Sequence, residues 1–194
     1  TAGIDYQSAY LQSVLGDAGV QSRTVKERNV GFSLVPALLT KKVDAILGGF
    51  WNYEGVELRL KKRRPHIIRI ERAGVPTYDE LVLVANEDAL DRDRSKLRAF
   101  IGALSRGTRD LRRDPKRAIG GLLKANPDLD RKLQRASVGA TLPLFSAPRG
   151  KPYAWQDPPQ WDAFAAWMKE NALLRTAPDT RRAFTNGLLP GSGL

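Results

Sequence analysis

Val43-Asp44-Ala45-Ile46-Leu47-Gly48-Gly49-Phe50-Trp51-Asn52-Tyr53-Glu54-Gly55 carries an apolar run through two glycines into aromatic rings, an amide and a carboxylate. The near-continuous apolar character of Val43 to Leu47 predicts a buried strand. A strand that ends in small residues lets the backbone turn tightly and approach another molecule closely. Trp51, Asn52, Tyr53 and Glu54 then place flat apolar faces beside a strong acceptor, which suits a pocket for a flat, amine-bearing ligand. Each residue taken alone has a plainer reading. Trp51 and Tyr53 could be core aromatics under a loop. Asn52 could be a helix N-cap, and Glu54 a first-turn residue favoured by the helix dipole. Their clustering after Gly48-Gly49 favours the pocket.

Working outward, the flanking sequence alternates between helical and strand patterns. Asp5 is expected to cap a helix carrying Tyr6, Tyr10 and Val14 on one face and ending at Gly19. Ser33 is expected to cap a short helix through Thr40, with Pro36 in its first turn. Tyr53 to Lys62 reads as a helix, and His66 to Ile70 and Glu80 to Asn86 read as strands. From Asp93 onward the pattern is helical. One helix runs from Ser95 to Arg113, and Asp114-Pro115 and Asn126-Pro127-Asp128 restart two more. Leu142 to Pro159 is a Pro-rich loop, and Trp161 to Asn171 is a last helix with Trp161, Phe164, Ala165 and Met168 on one face. This divides the chain into an α/β part, residues 1–80, and a crossover strand followed by helices, residues 81–194. The helical stripes need a sheet to cover, and one nearby strand does not supply it.

Composition narrows the chemistry. The chain of 194 residues has no cysteine, which excludes disulfides, thiolate nucleophiles and Cys-ligated metal centres. Its single histidine, His66, reads as a structural residue at the start of a strand, so no metal site is expected. No nucleophile–base pair is evident, so no catalytic residue and no cofactor are expected. The net charge of +11 raises nucleic acid or an anionic surface as a partner. The positive residues are spread along the chain, however. The sharpest cluster, Lys61-Lys62-Arg63-Arg64, follows a helical pattern, where cations suit the C-terminal dipole. No nucleic-acid recognition motif accompanies the charge, and nucleic acid is not the expected partner. The chain opens at Thr1-Ala2-Gly3 with no leader pattern.

The stretch Asn29-Val30-Gly31-Phe32-Ser33-Leu34-Val35-Pro36, with Val43-Asp44-Ala45 and Gly48 to Glu54, carries a family resemblance. Further matches follow in order: Gly74-Val75-Pro76-Thr77-Tyr78-Asp79-Glu80, Trp161 through Trp167-Met168, and Phe184-Thr185-Asn186 with Leu189-Pro190. Together they resemble the substrate-binding proteins of ABC transporters for thiamine pyrimidine precursors, a family that shares its fold with yeast-type pyrimidine synthases. The resemblance implies an α/β, periplasmic-binding-protein type II-like fold. Residues 1–80 would be an α/β lobe two with the ligand-binding turn. Residues 81–194 would be the helical C-terminal part of lobe one, with the family's opening lobe-one segment absent from these residues.

The resemblance further implies a ligand cleft between lobes, a periplasmic or extracellular, cell-surface-associated location, and an ABC transporter permease as partner. The ligand would be an aminopyrimidine or a thiamine-like molecule. Trp51, Asn52, Tyr53 and Glu54 would form the lobe-two wall, with Phe32 and the Gly3-Ile4-Asp5-Tyr6 turn as secondary walls. Glu54 can accept from an exocyclic amine and a protonated ring nitrogen in one plane. Trp51 or Tyr53 can stack on the ring, and either end of the Asn52 amide can orient Glu54 or the ligand. The synthases of the same fold use a histidine, a PLP-binding lysine and a Cys-rich iron motif. The absence of cysteine and the placement of His66 outside any such motif disfavour a synthase here.

Overall fold

The computed structural model describes residues 1–191. The chain forms two compact units. The first comprises residues 1–78 and 159–178, and the second residues 79–158 and 179–191 of the described chain. The sequence grouping put the last long helix with residues 81–194. In the structure its aromatic stripe packs in the first unit instead.

The first unit is built on α1 (Asp5–Asp17), α2 (Leu34–Leu39), α3 (Glu54–Leu60) and α8 (Pro158–Glu170). The predicted Asp5 cap is corrected. The N-cap is Ile4, in extended backbone with no side-chain capping bond, and Asp5 is instead the first helical residue. A carboxylate there still favours the helix through its dipole. Gly19 ends α1 as expected. Its φ of 65° lets the Val20 N–H reach back to the Leu15 carbonyl at 2.8 Å, closing the last turn.

Tyr10, Val75 and Trp167 are buried together, with Tyr6, Tyr78 and Phe164 packed around them. Tyr78 and Phe164 stack at 4.4 Å, and Tyr10 meets Trp167 at 5.3 Å. Trp167 keeps its indole N–H satisfied by donating to Ser13 Oγ at 3.1 Å. Ser33 stands at the N-cap of α2, without a side-chain capping bond, and α2 buries Leu34, Val35 and Ala37. The basic cluster falls where the dipole argument put it. Lys61 follows directly on α3, and its ammonium lies 3.6 Å from Glu57 one turn back.

The three predicted strands are corrected. Among the described residues, Val43 to Leu47, His66 to Ile70 and Glu80 to Asn86 form no strand, so the expected α/β layer is not seen. The runs differ in how they meet the rest of the chain. Val43, Ile46 and Leu47 are half-buried, and Leu47 joins the Tyr10 cluster. Pro65 to Ile68 alternates half-buried and exposed positions, as one strand of a sheet would. Leu81 to Val84 is exposed throughout. An apolar run encodes the demand for burial, whereas a ladder also needs a neighbouring chain to pair with.

The second unit contains α4 (Glu87–Arg92), α5 (Arg94–Arg113), α6 (Pro115–Ala125) and α7 (Arg131–Thr141). The helix α4 begins directly after the segment expected as the third strand. Asn86 caps it by accepting from the Asp88 N–H at 2.9 Å. The Asp114-Pro115 restart is confirmed, with Asp114 accepting from Arg117 N–H and Pro115 in the first turn. Asp130 caps α7 through two N–H groups, those of Lys132 and Leu133, both at 2.8 Å.

Positions along α5 differ in burial. Ser105 and Thr108 are buried, whereas Phe100 and Leu104 face solvent. Thr108 Oγ1 donates to Tyr153 Oη at 3.1 Å, tying the Pro-rich loop to α5. Asn186 holds the same loop by a pair of bonds with the Gln156 backbone, and Arg94 and Arg98 both donate to the Gly187 carbonyl. The Phe184-Thr185-Asn186 motif therefore acts locally as a clip.

Candidate functional site: the Gly48–Glu54 turn

The turn is organised by its own backbone. The N–H groups of Tyr53 and Gly55 both reach the Phe50 carbonyl, at 3.1 and 3.0 Å. Tyr53 is the N-cap of α3, one position later than the Asn52 cap considered from sequence, and Glu54 is the first helical residue. Glu54 Oε2 folds back to accept from the Phe50 N–H at 2.7 Å. Two glycines lead into the turn. A Cβ at Gly49 would come within 3.5 Å of Glu54 Cβ and 3.2 Å of Ile46 Cδ1. Gly48 has φ of 91°, a conformation that side-chain-bearing residues adopt only under strain.

Four of the five predicted site residues therefore lie together. Trp51, Asn52 and Glu54 are half-buried, and Tyr53 is more exposed. Glu54 offers a carboxylate anchored through one oxygen. Phe32 departs from its expected role as a secondary wall. Its ring is 89% exposed just ahead of α2, so it closes no pocket in this conformation. The opening turn is occupied locally: the Thr1 carbonyl accepts from Val30 N–H, and Gly3 packs against the Asn29 side chain.

Two residues of the site were missed from sequence. Arg69 stands over Trp51, with its guanidinium carbon 4.7 Å from the ring centroid, and is paired with Glu71 at 2.6 Å. A flat ligand would stack on the other face of Trp51 or displace Arg69. Gln7, 3% exposed, is the second. Its Oε1 accepts from the Ala2 N–H at 2.7 Å, and its Nε2 fills the space a Gly48 side chain would need. No local signal marks either residue, because both act across tertiary contacts. Two open surface depressions, one lined by Asp91, Arg92, Arg94, Ser95 and Arg98 and one by Gln21, Ser22 and Arg23, involve none of the predicted residues. Among the described residues no cluster of metal-ligating side chains occurs, and no helix is long and apolar enough to cross a membrane.

The chain belongs to the NMT1/THI5-like family, whose model matches residues 1–118. That membership bears out the resemblance drawn from the Phe32, Gly48–Glu54 and Gly74–Glu80 motifs, and with it a periplasmic-binding-protein-like fold for the family. Among curated relatives, a Haemophilus influenzae protein described as a thiamine biosynthesis protein is 32% identical over 173 residues, covering 89% of this chain and 53% of that one. A formylaminopyrimidine-binding protein of Halalkalibacterium halodurans is 27% identical over 188 residues, covering 95% of this chain and 57% of the relative. The chain thus spans about half the length of both relatives.

Proposed function

We propose that this chain serves as a solute-binding component for a thiamine-related aminopyrimidine, delivering it outside the cytoplasm to an ABC transporter permease. The observation that carries the reading is the Glu54 carboxylate, pinned by the Phe50 N–H in the same turn as the half-buried Trp51. An aminopyrimidine presents an amine and ring nitrogens in one plane. A carboxylate held in place recognises that edge while an indole covers the face. The kinship to a formylaminopyrimidine-binding protein supports the same ligand class. A binding role rather than catalysis agrees with a chain that has no cysteine and one histidine, His66, exposed and outside this turn. The residues proposed to contact ligand are Glu54, Trp51, Asn52 and Tyr53, with Phe32 recruited only if its segment moves. The test is a titration with formylaminopyrimidine read by tryptophan fluorescence, in the wild type and in Trp51→Phe. Quenching that is lost in Trp51→Phe supports the reading, and quenching unchanged by the substitution refutes the assignment of the site.

A further inference from the structure

The segment that carries Arg69 is fixed at its backbone. The Arg72 N–H reaches the Arg69 carbonyl at 2.9 Å, and the Ala73 and Val75 N–H groups both reach the Ile70 carbonyl, at 3.0 and 3.2 Å. Val75, 2% exposed, anchors this turn in the Tyr10 cluster. What is free to move is the pair of side chains at Arg69 and Glu71, which are 38% and 26% exposed.

The Arg69 guanidinium lies over the Trp51 ring while its Nη2 meets Glu71 Oε1. A guanidinium is a flat N–C–N array with N–H donors along its edge, which suits both an indole face and a carboxylate. An aminopyrimidine carries the same array where its exocyclic amine and the adjacent ring nitrogen share one carbon. Arg69 therefore presents to Trp51 the shape and polarity that such a ligand would bring. The ion pair and the ring contact coexist, so Glu71 holds the guanidinium over the ring rather than drawing it away. Both side chains are partly open to water, and a contact of that kind is weak enough to exchange.

We propose that Arg69 is an internal competitor for the face of Trp51: an incoming aminopyrimidine takes the place of the guanidinium, which swings off the ring. The affinity of the site is then set by the difference between two contacts with one ring, and it is reduced by the fraction of time the guanidinium covers it. This rests on the reading of Trp51 as a ligand wall, and adds which face is used and what must leave it.

The test is an NMR titration with formylaminopyrimidine that follows the Arg69 Nε–H and Cδ–H signals, which sense the ring current of Trp51. Calorimetry supplies affinities for the wild type, Arg69→Ala and Glu71→Gln. The Arg69 signals should move toward ordinary arginine positions as the ligand saturates, in step with the Trp51 indole. Arg69→Ala should bind about two- to fivefold more tightly, the factor for one exposed cation–π contact. Glu71→Gln should also bind more tightly, because it loosens the competitor. A purely electrostatic effect on a ligand cation runs the other way, since that substitution removes a negative charge. Binding detectable only in Arg69→Ala would support the proposal as well. Saturable binding that leaves the Arg69 signals unmoved overturns it, as does weaker or unchanged affinity in Arg69→Ala or in Glu71→Gln; the site at Trp51 would stand in each case. Absence of binding in the wild type and in Arg69→Ala alike overturns the ligand reading itself, and the competitor with it.

Discussion

Arg69 lies across the ring of Trp51, its guanidinium carbon 4.7 Å from the centroid, and Glu71 fixes it there at 2.6 Å. A partly exposed cation–π contact of this kind contributes about 0.5–1 kcal/mol. Arg69→Ala should therefore cost little stability while uncovering the indole. Its emission should shift to the red, and the shift should disappear when the same substitution is made in a Trp51→Phe background. A shift that persists there would assign the effect to Trp155, Trp161 or Trp167 instead.

Glu54 has two roles that substitution can separate. Its Oε2 holds the Phe50 N–H at 2.7 Å, and its charge is proposed to meet the ligand amine. Glu54→Gln keeps an acceptor for Phe50 but removes the charge. It should leave the denaturation midpoint nearly unchanged and weaken ligand binding by about 1.5–3 kcal/mol, the range for a charged hydrogen bond. Unchanged affinity in calorimetry would remove Glu54 from the site.

Gly48 permits the turn in two ways, through its φ of 91° and through the room it leaves for the buried Gln7 amide. Gly48→Ala should destabilise the chain by about 1–3 kcal/mol in urea denaturation. Pairing it with Gln7→Ala should recover part of that loss, because the steric component goes and the backbone component stays. Full additivity of the two substitutions would show that they do not meet.

Trp167 and Ser13 form a bond across two helices at 3.1 Å. Trp167→Phe and Ser13→Ala should each cost about 1 kcal/mol or more, and the double variant less than their sum, since both remove one hydrogen bond. A strictly additive cycle would mean the bond contributes nothing.

What could be read from the sequence follows the range of the interactions involved. The Asp114-Pro115 restart and the Gly19 stop were legible because caps and turns are local chemistry. The Trp51–Glu54 grouping was legible for the same reason, as four adjacent residues on one turn must lie together. The helix α4 is hard to see in the sequence because Asn86 closes an apolar run and reads as a strand end, whereas its side chain caps a helix. The strands were over-read because the apolar character of Leu81–Val84 records a need for cover, and pairing depends on a partner elsewhere. Arg69 and Gln7 escaped notice because nothing near them in sequence points to Trp51 or Gly48. Phe32 is expected at the site from family resemblance, and its exposure shows that a motif residue need not line a pocket wall in this conformation.

The central claim is that an aminopyrimidine binds at the Gly48–Glu54 turn, and an amide-resolved NMR titration of the chain with formylaminopyrimidine tests it most directly, since it detects weak binding as well as tight. The account predicts saturable shifts centred on the amides of Phe50 to Gly55 and on the Trp51 indole, all strongly reduced in Glu54→Gln. Shifts confined to other parts of the chain, or none at millimolar ligand, would contradict it.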